Sequence, residues 1–211
     1  MTGIVLAHGQ AAPTVERHLA NWRSLFPEII IVSPKDDPFS PSDSMIGASE
    51  RHGRSALDRF RFAMECGAAR AGLTAILEYD TLFFLRFSNV QTNMVACSVL
   101  RDDLNPIPGL VMPYGHSPWV STGETWRRVL AGLGDDEQMG FPDRWLALAC
   151  RNAGVPLMGF IDGFSDDAPW TPAVRAQAAL AVQSGAPVVH GCKTAEDFAA
   201  LEAAYKARHL L

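Results

Sequence analysis

Residues 3–32 constrain the fold more than any other stretch. Gly3-Ile4-Val5-Leu6-Ala7 is a short apolar run that ends on His8-Gly9-Gln10, as a buried strand does. From Pro13 to Phe26 the apolar positions Val15, Leu19, Trp22, Leu25 and Phe26 recur at helical spacing. Pro13 suits the first turn of that helix, where its missing N–H costs nothing, and Pro27 stops it. Glu28-Ile29-Ile30-Ile31-Val32 follows, continuously apolar as a parallel strand covered on both faces must be. Strand, helix and strand with short joins open a doubly wound α/β sheet.

The alternation continues along the chain. Ser33 to Ser49 is rich in Pro, Ser and Asp and reads as a surface loop at a strand's carboxyl end, placed either to cover a ligand or merely to connect. Arg51-His52-Gly53-Arg54 is a basic entry to a helix through Ala56, Phe60, Ala63, Met64 and Ala68, closed near Gly72. Strands are expected at 73–77, 95–99, 110–112, 155–160 and 187–190, with 83–104 hard to assign. Helices are expected at 124–133, 144–152, 172–183 and after Thr194, where Thr194-Ala195-Glu196-Asp197 resembles a capping box. No repeat, low-complexity segment or linker interrupts the pattern, so residues 1–211 are expected to form a single domain.

Composition removes several function classes. A net charge of −5 and a pI near 5.6 argue against an electrostatic nucleic-acid binder. An anionic substrate would need local neutralisation by a metal or a few placed basic residues. Cys66, Cys97, Cys150 and Cys192 are scattered, with no C-x-x-C pair, as reduced thiols of a core are. Met1 to Leu6 is too short an apolar run for a signal peptide, and no stretch approaches a membrane span. The expected location is cytoplasmic.

The chemistry is concentrated where the run Leu73-Thr74-Ala75-Ile76-Leu77 climbs to Glu78-Tyr79-Asp80. Residues i and i+2 of a strand point the same way, so one cation can feel both carboxylates, or both are simply solvated. Open α/β sheets bind ligands at that carboxyl end. Gly115-His116-Ser117-Pro118-Trp119 begins like the hydrolase elbow G-x-S-x-G but ends on Trp119, too bulky for the strained turn. Neither G-x-G-x-x-G nor G-x-x-x-x-G-K-[ST] occurs, which leaves nicotinamide and P-loop enzymes unsupported.

The ordered set of strand–helix–strand, acids at Glu78 and Asp80, the turn Ser121-Thr122-Gly123, Asp143 at a helix start and His190 after a late strand resembles the GT-A glycosyltransferases. Glu78-Tyr79-Asp80 looks like the DXD motif of these nucleotide-diphospho-sugar transferases, with Glu replacing the first Asp. Val120 to Arg128 is similar to the family's glycine-containing loop and helix. Phe141-Pro142-Asp143 stands where the x-E-D motif would, and Val188-Val189-His190-Gly191 where its late metal-holding histidine would. The resemblance covers nearly the whole chain; 84–110 matches least.

It implies a three-layer α/β/α fold on a mostly parallel mixed sheet, and a metal-dependent, inverting glycosyltransferase. Mn²⁺ or Mg²⁺ would be held by Asp80 and His190, with Glu78 as a further ligand or a ribose partner; hard oxygens plus an imidazole lean toward Mn²⁺. Asp143 would be the catalytic base, although by residue type alone it is an N-cap aspartate. Ala7, His8, Gln10, Ser33, Arg54, Glu78 and Tyr79 are the nucleotide-side candidates, and His116, Trp119 and Gly123 the sugar-side ones. The donor would be a nucleotide diphosphate sugar, UDP-sugar by family prevalence, and the acceptor a carbohydrate or lipid-linked hydroxyl. Two rivals remain. A sugar nucleotidyltransferase is weakened by the absence of Arg or Lys between His8 and Arg17. A binding module of the same fold without turnover is left open by Glu78 and Pro142.

Overall fold

The computed structural model describes residues 1–33, 44–46, 54–84, 93–97, 100–101, 110, 112–113, 118–134, 142–159, 163–166 and 168–209. Its opening is the expected one: β1 (Thr2–Leu6), a 3-10 turn at Gly9–Ala11, α1 (Ala12–Arg23) and β2 (Glu28–Ser33). The short strand β3 (Ser44–Ile46) pairs parallel with β2, so the stretch read as loop contains a strand. Its Pro- and Ser-rich surroundings hide three residues with too little periodicity to register.

Next come α2 (Arg54–Ala68), β4 (Leu73–Glu78), β5 (Leu82–Phe83), β6 (Val95–Cys97), β7 (Leu100–Arg101) and β8 (Met112–Pro113). The chain continues through β9 (Trp119–Thr122), α3 (Gly123–Ala131), α4 (Pro142–Asn152), β10 (Leu157–Gly159) and β11 (Phe164–Ser165). It closes with α5 (Pro172–Gln183), β12 (Val188–His190) and α6 (Ala195–Arg208). The capping box at Thr194 is present: its hydroxyl accepts from Asp197 N at 3.1 Å, and the Asp197 carboxylate accepts from Thr194 N at 3.1 Å.

The main sheet runs β10-β6-β9-β4-β1-β2-β3. β1 is parallel to both β2 and β4, which sets Leu6 opposite Glu78 and opposite Val32. β9 alone reverses, antiparallel to β4 and β6, so β6 again runs with β4.

Strand alternation sorts the side chains onto two faces. Ile4, Ile30, Val32 and Ile76 meet α2, α3 and α4 through Phe60, Met64, Trp126 and Leu146, whereas Val5, Ile29, Ile31 and Leu77 meet α1 through Val15 and Trp22, with Phe26 just beyond its end. Each such fully buried aliphatic side chain contributes about 1.5–3 kcal/mol. A smaller sheet, β11-β12-β5, carries its own core against α5 and α6 with Leu82, Val189, Ala178 and Leu201. The four cysteines are buried and unbridged. Among the described residues no helix is long and apolar enough to cross a membrane.

Candidate metal centre

The two acids stand where β4 leaves the sheet. Tyr79 N donates to Leu6 O at 3.1 Å, extending the ladder one residue past Glu78, and Thr81 N then donates to Glu78 O at 3.1 Å. That tight turn sends the chain into β5 and lifts Asp80 beside Glu78. The antiparallel pairing of β12 with β5, Val189 opposite Leu82, brings His190 to the same turn.

Gly191 makes the return possible. Its φ of +94° lies in the left-handed region, and a Cβ there would stand 2.0 Å from Asp166 O. The turn lets Cys192 N donate to Asp80 O at 3.0 Å, which locks the two segments together.

Three donor atoms converge in consequence. His190 Nε2 lies 2.8 Å from Glu78 Oε2 and 3.1 Å from Asp80 Oδ1, and each residue offers a ligand atom within 4.8 Å of the others. Octahedral donors about 2.1 Å from an ion sit roughly 3.0 Å apart along an edge, so these residues fit a hard divalent cation. Without one, the same spacing suits an imidazolium. Burial works against that charge, but Asp80 and Glu78 outweigh it and raise the His190 pKa to about 9. The other ring nitrogen, Nδ1, lies 3.4 Å from Ser165 Oγ, a contact that orients the ring for either role. Lys193 Nζ is 3.5 Å from Asp80 Oδ2, and the Lys193 carbonyl accepts from Thr14 Oγ1 at 2.9 Å and from Arg17 Nη1 at 3.3 Å.

The other expected site residues divide by sheet edge. Ala7, His8 and Tyr79 follow the carboxyl ends of β1 and β4, and Ser33 is the last residue of β2. Ala7 N donates to Val32 O at 2.9 Å, and the His8 and Tyr79 rings meet edge-on at 5.0 Å. Ser33 is buried and Gln10 exposed. Arg54 begins α2 and its side chain lies outside the described residues, as does all of His116.

Asp143 sits in the first turn of α4, beside β6. The Cys97 thiol is pushed up to about 12 by burial and then by the Asp143 charge. β6 is two strands from β4 and parallel to it, so the carboxyl ends of these two strands lie on one edge of the sheet, roughly 10 Å apart.

Two of the sugar-side candidates lie away from the acids. Trp119 is 1% exposed and packs edge-on against Phe60 at 4.9 Å, because alternation along β9 turns it into the core under α2. Gly123 is on the opposite edge. Thr122 pairs with Leu73 at the start of β4, about five residues or roughly 16 Å from Glu78, because β9 is antiparallel. There Gly123 allows close packing: a Cβ would meet Arg70 O at 1.8 Å.

Sequence reading missed Lys193, Gly191 and Ser165. Only the closeness of Gly191 and Lys193 to His190 in the chain hinted at the first two.

No family model and no curated protein matches the sequence. Solved structures do match. The galactosyltransferase LgtC, in complex with donor and acceptor sugar analogues, superposes with a TM-score of 0.55 over 100% of this chain and 96% of its own, at 10% identity. An active-site mutant of LgtC gives 0.54 at 11% identity, over 98% of this chain and 96% of its own. The fold is GT-A. A cytidylyltransferase of Thermus thermophilus matches more loosely, at a TM-score of 0.48 and 15% identity over 85% and 98% of the two chains. In GT-A terms, Glu78-Tyr79-Asp80 ends the strand at the carboxyl edge of the main sheet, and His190 comes to it from the smaller sheet.

Proposed function

We propose that the chain is a metal-dependent glycosyltransferase that moves a sugar from a nucleotide diphosphate sugar, UDP-sugar foremost, to an acceptor hydroxyl. One observation carries the reading: Glu78, Asp80 and His190 meet at ion-binding spacing on the carboxyl edge of a GT-A sheet. When bound, Mn²⁺ or Mg²⁺ neutralises a diphosphate leaving group as a Lewis acid.

The chain's own residues do the rest. Glu78, Asp80 and the neutral His190 ring hold the ion, with the His190 Nδ1–H kept toward Ser165. Lys193, already beside Asp80, supplies a cation for the diphosphate oxygens. Tyr79 and His8 flank the nucleoside at the ends of β4 and β1. Asp143, near Cys97 at the carboxyl end of β6, is proposed as the base that takes the acceptor proton in an inverting transfer.

The test is donor hydrolysis with Mn²⁺, wild type against Asp143→Asn. A hydrolysis rate that falls at least a hundredfold in the variant, with nucleotide binding retained, supports a transferase. Equal background rates in two chains that both bind nucleotide mean a binding module without turnover, and the enzyme reading fails.

A further inference from the structure

Helix α1 is fastened to the segment that carries the two acids by polar side chains as well as by apolar packing. The His18 ring, through Nδ1, lies 3.1 Å from Tyr79 O. Trp22 Nε1 donates to Thr81 O at 2.8 Å. Asn21 Nδ2 donates to Phe83 O at 2.7 Å, and its Oδ1 accepts from Phe83 N at 3.0 Å.

The pattern is regular on the helix side. Positions 18, 21 and 22 are spaced i, i+3 and i+4, one face of a helix. The carbonyls of residues 79, 81 and 83, in the turn and in β5, all meet that face. The same segment is also held by the smaller sheet, where Asp80 O accepts from Cys192 N at 3.0 Å and Phe84 N donates to Pro187 O at 2.8 Å. The backbone between the ligands is thus gripped from two sides, and the His18 and Trp22 contacts are dry, both residues being 0% exposed.

Chemistry fixes the direction of the His18 contact. A carbonyl only accepts, so His18 is the donor and carries its proton on Nδ1. The ring is held edge-on by Trp22 at 5.6 Å and stacked on Phe198 at 5.6 Å.

We infer that His18 and Trp22 are positioning residues for the metal centre: their N–H groups hold the Tyr79 and Thr81 carbonyls so that the Glu78 and Asp80 carboxylates stay at ion-binding spacing from His190. The inference rests on the metal-centre reading above. A coordinating carboxylate must be held to within about 0.5 Å, and a two-residue turn has too little structure of its own for that. Groups that orient ligands in this way typically change metal affinity by about 10–100-fold when removed.

The experiment is Mn²⁺ titration of the full chain by electron paramagnetic resonance, with unfolding of the EDTA-treated protein in parallel. Trp22→Phe keeps the aromatic packing and loses the donor. His18→Phe loses the donor, whereas His18→Asn keeps an N–H near the Nδ1 position. Trp126→Phe is the control: it loses the 2.7 Å bond to Thr74 Oγ1 in the α3 core, far from the acids, and destabilises without touching the turn.

The expected result is an affinity about tenfold or more weaker in Trp22→Phe and His18→Phe, near wild type in His18→Asn and unchanged in Trp126→Phe. Folded Trp22→Phe and His18→Phe proteins that bind Mn²⁺ as wild type does would overturn the inference. So would His18→Asn binding as weakly as His18→Phe, or Trp126→Phe losing as much. A wild-type chain that does not bind Mn²⁺ removes the metal-centre reading, and the inference with it.

Discussion

Raising the pH from about 6 to 8 should weaken the metal-free protein chiefly through His190, because the buried thiols, also pushed up by burial, act only at higher pH. His190 has an ordinary pKa of 6.5 in the unfolded chain and one raised to about 9 in the folded chain, where Asp80 and Glu78 hold the imidazolium against the cost of burial. The folded state therefore binds the proton more tightly. The stabilisation is complete below about pH 6.5 and is lost as pH rises through about 9. That difference between the folded and unfolded imidazole corresponds to on the order of 3 kcal/mol. Urea unfolding in EDTA between about pH 6 and 8 reads most of it, on the order of 2 kcal/mol: with a slope of about 1–3 kcal/mol per molar, the midpoint should fall by roughly 0.6 M or more. His190→Gln should flatten that dependence. An equally steep decline in His190→Gln would refute the assignment of the loss to this imidazole. Mn²⁺ should reverse the sign, because the ring must shed its proton to bind. Apparent affinity should then climb about tenfold per pH unit up to about 9.

Two substitutions probe the neighbours of that ring. Gly191→Ala meets both a positive φ and the Asp166 carbonyl, so it should cost about 1–3 kcal/mol from backbone conformation alone, with the clash in addition. Calorimetry should show a melting point lower by several degrees, since each kcal/mol moves a domain of this size by roughly 2–4 °C; an unchanged melting point would contradict the turn described here. Lys193→Met should weaken nucleoside diphosphate binding by about tenfold while leaving nucleoside binding alone, the loss of one charge-assisted contact. Calorimetric titration with both ligands checks it, and an equal loss for the two would place Lys193 elsewhere than at the phosphates.

What could be read in the sequence follows from what is local. The apolar runs 4–7 and 29–32 and the helical spacing between them depend on burial alone, so the opening of the sheet was legible. Glu78 and Asp80 end a strand whose apolar climb marks its own carboxyl end, and that too is local. Strand direction is not local. Trp119–Thr122 has the same composition whether it runs with β4 or against it, and only pairing decides. The antiparallel choice carried Gly123 to the far edge. Which face Trp119 takes was hidden for the same reason, since alternation gives two faces without saying which is the core. Lys193 reaches Asp80 because of a turn at Gly191 whose geometry a lone glycine does not announce. The polar face of α1 escaped because His18 and Asn21 interrupt the apolar pattern that defined the helix, and their partners are carbonyls some 60 positions away, 61 for His18 and 62 for Asn21.

The most direct measurement is thermal unfolding with UDP, GDP, CDP and TDP, each with Mn²⁺ or with EDTA. A ligand at about 100 times its dissociation constant stabilises by roughly 2.7 kcal/mol, worth several degrees here. The account predicts that one nucleotide, UDP foremost, raises the melting point when Mn²⁺ is present and fails to do so in EDTA. A nucleotide that stabilises equally in EDTA would contradict the role given to Glu78, Asp80 and His190. No rise with any nucleotide would contradict the diphosphate site altogether.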